Sequence, residues 1–139
     1  MSGRKVDVLT RVLVMVWLAA AGGCANLGDQ QNLPDDEAVR VRAQAWADAL
    51  LDDDLKKAYA YTSPAYRSSS TLGSYNARVA GRDTWKAMEV KSVKCAEDVC
   101  DVSYTLEYRL NRANRLNTRA MDYRWIKVKG QWWLYVAAH

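Results

Sequence analysis

Cys24 is the residue whose surroundings most clearly predict chemistry. It follows a run of small residues at 19–23, which overlaps the end of an unbroken apolar stretch at 12–21. Three cations precede the end of that stretch: Arg4, Lys5 and Arg11. A cationic start, a short apolar run and small residues before a cleavage point make up an export signal, and a run this short does not cross a bilayer as a helix. The pattern therefore predicts that a cysteine thiol stands at the start of the exported chain.

The run Leu18-Ala19-Ala20-Ala21-Gly22-Gly23-Cys24 resembles the signal of bacterial lipoproteins. The resemblance implies that residues 1–23 are a signal peptide and that Cys24 carries a diacylglyceryl group and an acyl chain such as palmitate, which together hold a protein stably at a membrane. Ala25 stands where an aspartate would signal retention at the inner membrane, so the implied location in the cell envelope is the outer membrane, facing the periplasm. Ala21 stands where leucine is usual, so ordinary signal cleavage stays open as an alternative.

Residues 24–34 predict a tether between this lipid anchor and a folded domain at 35–139. The segment is rich in Asn, Gln and Gly and offers little to bury. Fully extended, such a segment reaches about 35 Å. We therefore expect the domain to lie just clear of the lipid surface.

Cys95 and Cys100 are close enough in sequence to pair, which leaves Cys24 as the odd cysteine of three. We expect them to face each other across a hairpin with a four-residue loop, at a spacing that a disulfide can bridge. Closing so short a loop stabilises a fold by roughly 2 kcal/mol. Two cysteines and a distant His139 do not make a zinc site, and the spacing differs from that of a Cys-x-x-Cys redox pair. The sequence predicts no metal site and no cofactor.

The formal net charge of +4 is partly due to the predicted signal peptide. Without residues 1–23 the chain is close to charge balance, so we expect no nucleic-acid partner. Four arginines nevertheless crowd one predicted hairpin tip: Arg109, Arg112, Arg115 and Arg119. They could contact an anionic partner, or they could simply belong to a solvated loop. Both interpretations stay open.

Helical periodicity dominates the first half of the domain. Acidic residues suit a helix start at Asp35 or Asp36. Four apolar residues then share one helical face: Val39, Ala43, Trp46 and Leu50. Two shorter helices are predicted at 55–61 and 72–80. Ser63-Pro64 predicts a helix stop, and the serines at 68–70 predict a loop.

The period of the pattern then changes to two. Residues 100–110 alternate strictly between apolar and polar types, which predicts a strand that is buried on one face. Further strands are predicted at 85–95, 118–128 and 131–138, with a bulge near Trp125-Ile126, where the apolar pattern changes face. Helices followed by a meander of strands indicate an α+β fold, in which the N-terminal helices pack on one face of a curved antiparallel sheet.

Four segments resemble the nuclear transport factor 2-like (NTF2-like) superfamily of cone-shaped, cystatin-like domains. They are Ala45-Trp46-Ala47-Asp48-Ala49-Leu50-Leu51, Ala58-Tyr59-Ala60-Tyr61, Ser63-Pro64-Ala65-Tyr66-Arg67 and Gly130-Gln131-Trp132-Trp133. The resemblance covers most of residues 35–139 and implies a conical pocket between helices and sheet, with sheets that often pair into dimers. The superfamily includes isomerases and dehydratases as well as non-enzymatic envelope lipoproteins, so the fold alone does not select an activity.

Six aromatic residues could line such a pocket or could fill a core: Trp46, Tyr59, Tyr104, Tyr108, Tyr123 and Trp125. Asp48 or Asp122 beside a tyrosine could act as a base, but the sequence contains no nucleophile elbow, phosphate loop or metal cluster. We therefore name no catalytic residue and expect a non-catalytic binding or scaffold role, toward an envelope protein, a second copy of the chain or an apolar small molecule. The alternative is an isomerase- or dehydratase-like enzyme that uses the aromatic cone.

Overall fold

The computed structural model describes residues 33–110 and 114–137. The predictions for Cys24, for the signal and most of the tether, for Arg112 and for His139 concern residues outside this part of the chain. Within it, four α-helices come first and a four-stranded sheet follows. None of the helices described is long and apolar enough to cross a bilayer.

The first helix, α1 (Asp35–Leu51), begins directly after Pro34 and carries Asp35, Asp36 and Glu37 in its first turn. Negative charges stabilise this end because a helix N-terminus has a partial positive charge. The helix start expected at Asp35 or Asp36 is confirmed.

Three short helices follow, each opened by a side chain that accepts a hydrogen bond from a backbone N–H: α2 (Leu55–Ala60) by Asp54, α3 (Pro64–Ser69) by Ser63 and α4 (Leu72–Arg78) by Thr71. The prediction of a loop at 68–70 is wrong, because α3 extends to Ser69. A serine cap followed by proline can start a helix as well as end one, since the first turn of a helix has no use for the N–H that proline lacks.

Four strands form one antiparallel meander: β1 (Trp85–Ala96), β2 (Val99–Leu110), β3 (Arg115–Val128) and β4 (Gln131–Leu134). A single turn of 3₁₀ helix, Arg82–Thr84, leads from the helices into β1. The helices pack against this sheet, which confirms the predicted α+β fold class. β4 ends at Leu134 rather than at residue 138.

β3 is regular where the sequence predicts a bulge. It pairs with β2 without interruption along its length and begins at residue 115 rather than 118. The predicted bulge at Trp125-Ile126 is therefore wrong. The presence of two consecutive apolar residues in this strand has another explanation. Trp125 is buried, whereas Ile126, on the opposite face, lies in register between Val99 and Trp133 of the neighbouring strands. Apolar side chains therefore lie on both faces of the sheet at this point, which breaks the alternation expected of a strand with a single apolar face.

The core lies between α1 and the inner face of the sheet, which is the face turned to the helices. The helical side consists of Ala38, Val39, Ala43, Trp46, Ala47, Ala49 and Leu50, all buried. The predicted apolar face of this helix is thereby confirmed, and its alanines let the helix approach the sheet closely. The sheet side includes the alternating residues of β2: Cys100, Val102, Tyr104 and Leu106. Their burial confirms the predicted inner face of this strand.

The side chain of Gln44 on α1 bonds to the backbone of β1, the first strand of the sheet. Its amide nitrogen donates to the Met88 carbonyl at 2.9 Å, and its amide oxygen accepts from the Val90 N–H at 3.0 Å. These are the two kinds of bond that a neighbouring strand would supply to an edge.

The opposite edge of the sheet, along β4, is met by the segment between α2 and α3. The Leu134 N–H donates to the Tyr61 carbonyl at 2.8 Å, and the Ser63 N–H donates to the Leu134 carbonyl at 3.0 Å. The last strand is thereby fastened to the helices, and the residues just before Leu134 are brought beside α1 and α2.

Candidate functional site

Four of the six predicted pocket residues meet in the interior, and three of them stack edge to face. Trp46, Tyr104 and Trp125 are at most 1% exposed. The Trp46 ring stands edge-on to Tyr104 and to Tyr123, with ring centroids 5.7 and 4.8 Å apart. The Tyr104 and Tyr123 centroids are 5.6 Å apart. Edge-to-face contacts of this kind fill space and add to stability beyond simple burial.

The other two predicted pocket residues lie apart from this group. Tyr59 packs against Tyr66 and Tyr75, with centroid distances of 6.4 and 5.5 Å. Tyr108 is half-buried at the margin of the core. Neither of the two cavities described below is lined by any of the six. Ligand binding by these six residues stays a prediction.

Trp46, Trp125 and Tyr104 use their polar ring atoms in hydrogen bonds within the core. Trp46 Nε1 donates to the Tyr75 hydroxyl at 2.8 Å, Trp125 Nε1 donates to the Tyr104 hydroxyl at 3.3 Å, and that hydroxyl donates to the Ala43 carbonyl at 3.4 Å. Burial raises the pKa of Tyr75 and of Tyr104 far above the usual value of a phenol, because an ionised ring would lose its hydration. The described interior therefore contains neutral phenols and no buried carboxylate or histidine.

The two aspartates considered as bases lie on the surface. Asp48 is exposed on α1, where it accepts a hydrogen bond from the Gln44 amide at 2.9 Å. Asp122 is exposed on β3 and accepts from the Ser103 hydroxyl at 2.6 Å. Across residues 33–110 and 114–137 there is no group of three or more His, Cys, Asp or Glu side chains that could hold a metal.

Cys95 and Cys100 form the predicted disulfide, with their Cα atoms 4.0 Å apart. They stand opposite each other on β1 and β2, with Cys100 buried and Cys95 exposed. The predicted four-residue loop is wrong, because the strands extend to the turn and leave only Glu97 and Asp98 in it. Glu97 adopts a φ of 52°, the left-handed conformation that matches a tight turn to the twist of its strands.

The arginines predicted to contact an anionic partner are exposed but do not share one face. Arg109 stands opposite Leu116, whereas Arg119 stands opposite Leu106, whose side chain is in the core. Arg115, four residues before Arg119 on the same strand, shares its face because side chains alternate along a strand. Arg109 therefore projects from the opposite face of the sheet. Contact with an anionic partner stays a prediction.

A groove lies beside β4, where α1 and α2 approach the last hairpin. Its volume is about 480 Å³, which is in the range of small-molecule sites. The charged and aromatic residues that line it are Arg42, Lys57, Tyr61, Lys129, Trp132 and Trp133. Among the described residues, none in its lining is acidic. We call this feature the β4 groove.

Arg42 is the most constrained cation of the β4 groove. Its Nε donates to the Trp132 carbonyl at 2.9 Å. Its guanidinium carbon lies 5.2 Å from the ring centroid of Tyr61 and 5.4 Å from that of Trp133, which are cation–π distances. Burial lowers the pKa of Arg42, since a charged group that is partly withdrawn from water loses hydration. No carboxylate of the described residues forms an ion pair with it.

The carboxylate of Asp35, two turns before Arg42 on α1, is engaged by other partners. Its Oδ1 accepts from Lys127 Nζ at 2.7 Å and from Trp132 Nε1 at 3.2 Å. The hydrogen bond from Lys127 lowers the pKa of Asp35. The negative charge of Asp35 is thus balanced by Lys127, and the positive charge of Arg42 is not.

A second cavity, of about 450 Å³, lies where the end of α1 meets the 3₁₀ turn. Arg82 borders it, but this guanidinium is fully engaged within the chain. It forms an ion pair with Asp53 at 2.8 Å and donates to the Asn76 side chain at 2.8 Å and to the Val79 carbonyl at 3.4 Å. The lining also contains Asp83 and Lys86, which are exposed and of opposite charge, so this cavity combines both signs of charge.

The pattern of the sequence does not reveal the β4 groove. The helical pattern assigns Arg42 to the polar side of the first helix, which conceals its half-buried position. The sequence does contain one indication of the groove, since Trp132 and Trp133 are consecutive residues of a strand. Their side chains must leave opposite faces, so one large aromatic ring had to lie away from the inner face.

No protein-family model and no curated protein matches the sequence. Solved structures do match. A SEC-C motif containing protein from Rhodopseudomonas palustris is 12% identical, with a TM-score of 0.54 over 68% of this chain and 73% of that chain. A protein described as an NTF2-like transpeptidase from Campylobacter jejuni is 12% identical, with a TM-score of 0.53 over 68% and 94%. A SEC-C motif containing protein from Psychrobacter arcticus is 13% identical, with a TM-score of 0.54 over 68% and 56%.

The chain is similar in fold to an NTF2-like protein. The helices packed on a four-stranded antiparallel sheet are consistent with the cone shape that the sequence resemblance implies. At such low identity the likeness concerns the fold alone, because one fold carries many unrelated activities.

Proposed function

We propose that this chain is a membrane-anchored envelope lipoprotein whose NTF2-like domain has a non-catalytic binding role. The observation that carries the non-catalytic part of the proposal is the filled interior, and the binding part rests on the β4 groove. Trp46, Tyr104 and Tyr123 occupy the space between helices and sheet where the resemblance implies a pocket. The anchor rests on the export signal and on the position of Cys24 behind it.

The described residues favour binding over catalysis. An isomerase or dehydratase needs an acid and a base that can exchange protons near neutral pH. Tyr75 and Tyr104 stay protonated because burial raises the pKa of each, and Asp48 and Asp122 lie on the surface. The β4 groove offers cations and aromatic rings, which suit recognition. Its occupant in this proposal is a small molecule or a side chain of an envelope partner.

The anchor is tested by replacing the cysteine, Cys24→Ser, in the bacterium that makes the protein. We expect the unaltered protein to take up a labelled palmitate analogue and to sediment with membranes, and the variant to do neither. The matched control is the double variant Cys95→Ala/Cys100→Ala, which should keep both label and membrane association. Unchanged membrane association of Cys24→Ser would contradict the lipoprotein proposal.

The binding role is tested by native mass spectrometry of the protein gently extracted from its own membrane. We expect a retained mass, from a small molecule, a second copy or another envelope protein. Conversion of a retained small molecule to a new mass during incubation would contradict the non-catalytic role. A bare chain under all extraction conditions would contradict binding.

A further inference from the structure

We infer that the β4 groove binds an organic oxyanion, a carboxylate or phosphate carried on an apolar body of small-molecule size. The inference rests on the proposed binding role and names the chemical class of its ligand. Three features carry it: a fixed guanidinium with free donors, a lining whose described residues include cations but no acid, and aromatic walls.

The first feature is the orientation of Arg42. Its Nε is bonded to the Trp132 carbonyl, and its guanidinium lies against Tyr61 and Trp133, so the plane of the group is fixed. No acceptor among the described residues takes its two terminal Nη groups. A planar guanidinium held in one orientation presents paired donors that match two oxygens of a carboxylate or phosphate. Little rotational freedom remains to be lost when such an anion binds.

The second feature is uncompensated positive charge. Lys57 on α2 and Lys129 in the turn after β3 are exposed residues of the groove lining. A further guanidinium, that of Arg67 on α3, lies 4.8 Å from the Trp133 ring centroid. Its Nη1 donates to the carbonyls of Ala60 and Thr62, which fixes it beside the groove without neutralising it. Cations gathered in a partly enclosed space attract anions more strongly than isolated surface cations do.

The third feature is the aromatic wall, which selects for the rest of the ligand. Trp133 and Tyr61 are half-buried and belong to the lining, so an apolar body could cover the part of each ring that remains exposed. The volume of about 480 Å³ suits a ligand of small-molecule size. A peptide strand fits less well, because Leu134 and the Trp132 carbonyl already use their edge bonds within the chain.

The test is calorimetric titration of the predicted processed chain, residues 24–139 with Cys24→Ser, which contains every residue of the described core. The probes are 2-naphthoate, 2-naphthyl phosphate and the neutral 2-naphthalenemethanol, which share one ring system. We expect at least one of the two anions to bind about tenfold or more tightly than the alcohol, since a charge-assisted pair accounts for a difference of that order. The better anion identifies the head group. Equal binding of all three probes, or binding of none, would overturn the inference.

The variant Arg42→Gln should remove the preference for the anion, with a loss of about tenfold or more in its affinity. The matched control is Arg40→Gln on the same helix. The Arg40 side chain is 42% exposed and lies outside the groove lining. The affinity of this variant for the anion should stay within about twofold of that of the unaltered chain. If Arg42→Gln does not fold, Arg42→Lys takes its place in the test. This variant keeps the positive charge but lacks the paired donors of the guanidinium, so it should bind the anion more weakly than the unaltered chain. Equal affinities of the Arg42 and Arg40 variants would overturn the inference. A protein retained in the membrane extract would then still support the proposed binding role.

Discussion

Two buried tyrosines provide a matched test of the hydrogen bonding in the core, because the same substitution should change stability in opposite directions. Tyr66 and Tyr75 are 3% and 1% exposed, and their ring centroids are 6.4 Å apart. The Tyr75 hydroxyl accepts the hydrogen bond of Trp46 Nε1. The Tyr66 hydroxyl is buried and has no hydrogen-bond partner among the described residues.

Tyr75→Phe leaves the N–H of Trp46 buried without an acceptor, which should lower the free energy of unfolding by about 1–3 kcal/mol. Tyr66→Phe removes a buried hydroxyl that already lacks a partner and leaves the ring in place. It should therefore raise the free energy of unfolding by about 1 kcal/mol. The two variants should differ from each other by roughly 2–4 kcal/mol.

Urea unfolding followed by far-ultraviolet circular dichroism measures both changes, since that signal does not depend on the surroundings of Trp46. With a slope of about 1–3 kcal/mol per molar urea, the two midpoints should differ by about 0.7 M or more. Tyr135→Phe is the control, because Tyr135 is 47% exposed and its change should stay within about 0.5 kcal/mol. Equal losses of stability in Tyr66→Phe and Tyr75→Phe would refute the reasoning from hydrogen-bond partners.

Two more predictions concern the same core. Alkaline pH should destabilise the domain, because burial raises the pKa of Tyr75, Tyr104 and Tyr123 above the usual phenol value of 10.0. On raising the pH, the unfolded chain loses these protons before the folded chain does. The contribution to stability is therefore full below about pH 10 and falls as the pH rises above it. Urea midpoints that stay level from about pH 8 to about pH 11 would contradict this prediction. Reducing the Cys95–Cys100 disulfide should lower the free energy of unfolding by roughly 2 kcal/mol. Urea midpoints with and without a phosphine reductant measure the loss, and coincident midpoints would show that the two-residue turn alone determines the register.

The elements that the sequence predicts correctly are those covered on a single face. The stripe of Val39, Trp46 and Leu50 and the alternation in β2 both record one buried side, so the period of the pattern directly indicates the structure. α3 was missed because Ser63-Pro64 is compatible with both the end and the start of a helix. The false bulge at Trp125-Ile126 arose because that end of β3 has apolar side chains on both faces, with Ile126 in register between Val99 and Trp133.

The β4 groove could not be predicted from local spacing. Arg42, Tyr61 and Lys129 belong to a helix, to the residue after a second helix and to a hairpin turn, and they meet only when the last hairpin lies beside α1. Whether the aromatic rings filled or lined the interior was equally beyond the sequence. That outcome depends on ring-to-ring distances such as the 4.8 Å between Trp46 and Tyr123, which no periodicity encodes.

The amide of Gln44 has a consequence for how the protein behaves at high concentration. By occupying the Met88 carbonyl and the Val90 N–H, it takes the place of a strand from another molecule, and Leu134 is protected in the same way on the opposite edge. Unpaired strand edges are the usual starting points of amyloid-like stacking. The Gln44 side chain therefore occupies two backbone groups that would otherwise be open to a strand from another molecule, and we expect its replacement by alanine to expose the centre of β1 to edge-to-edge association.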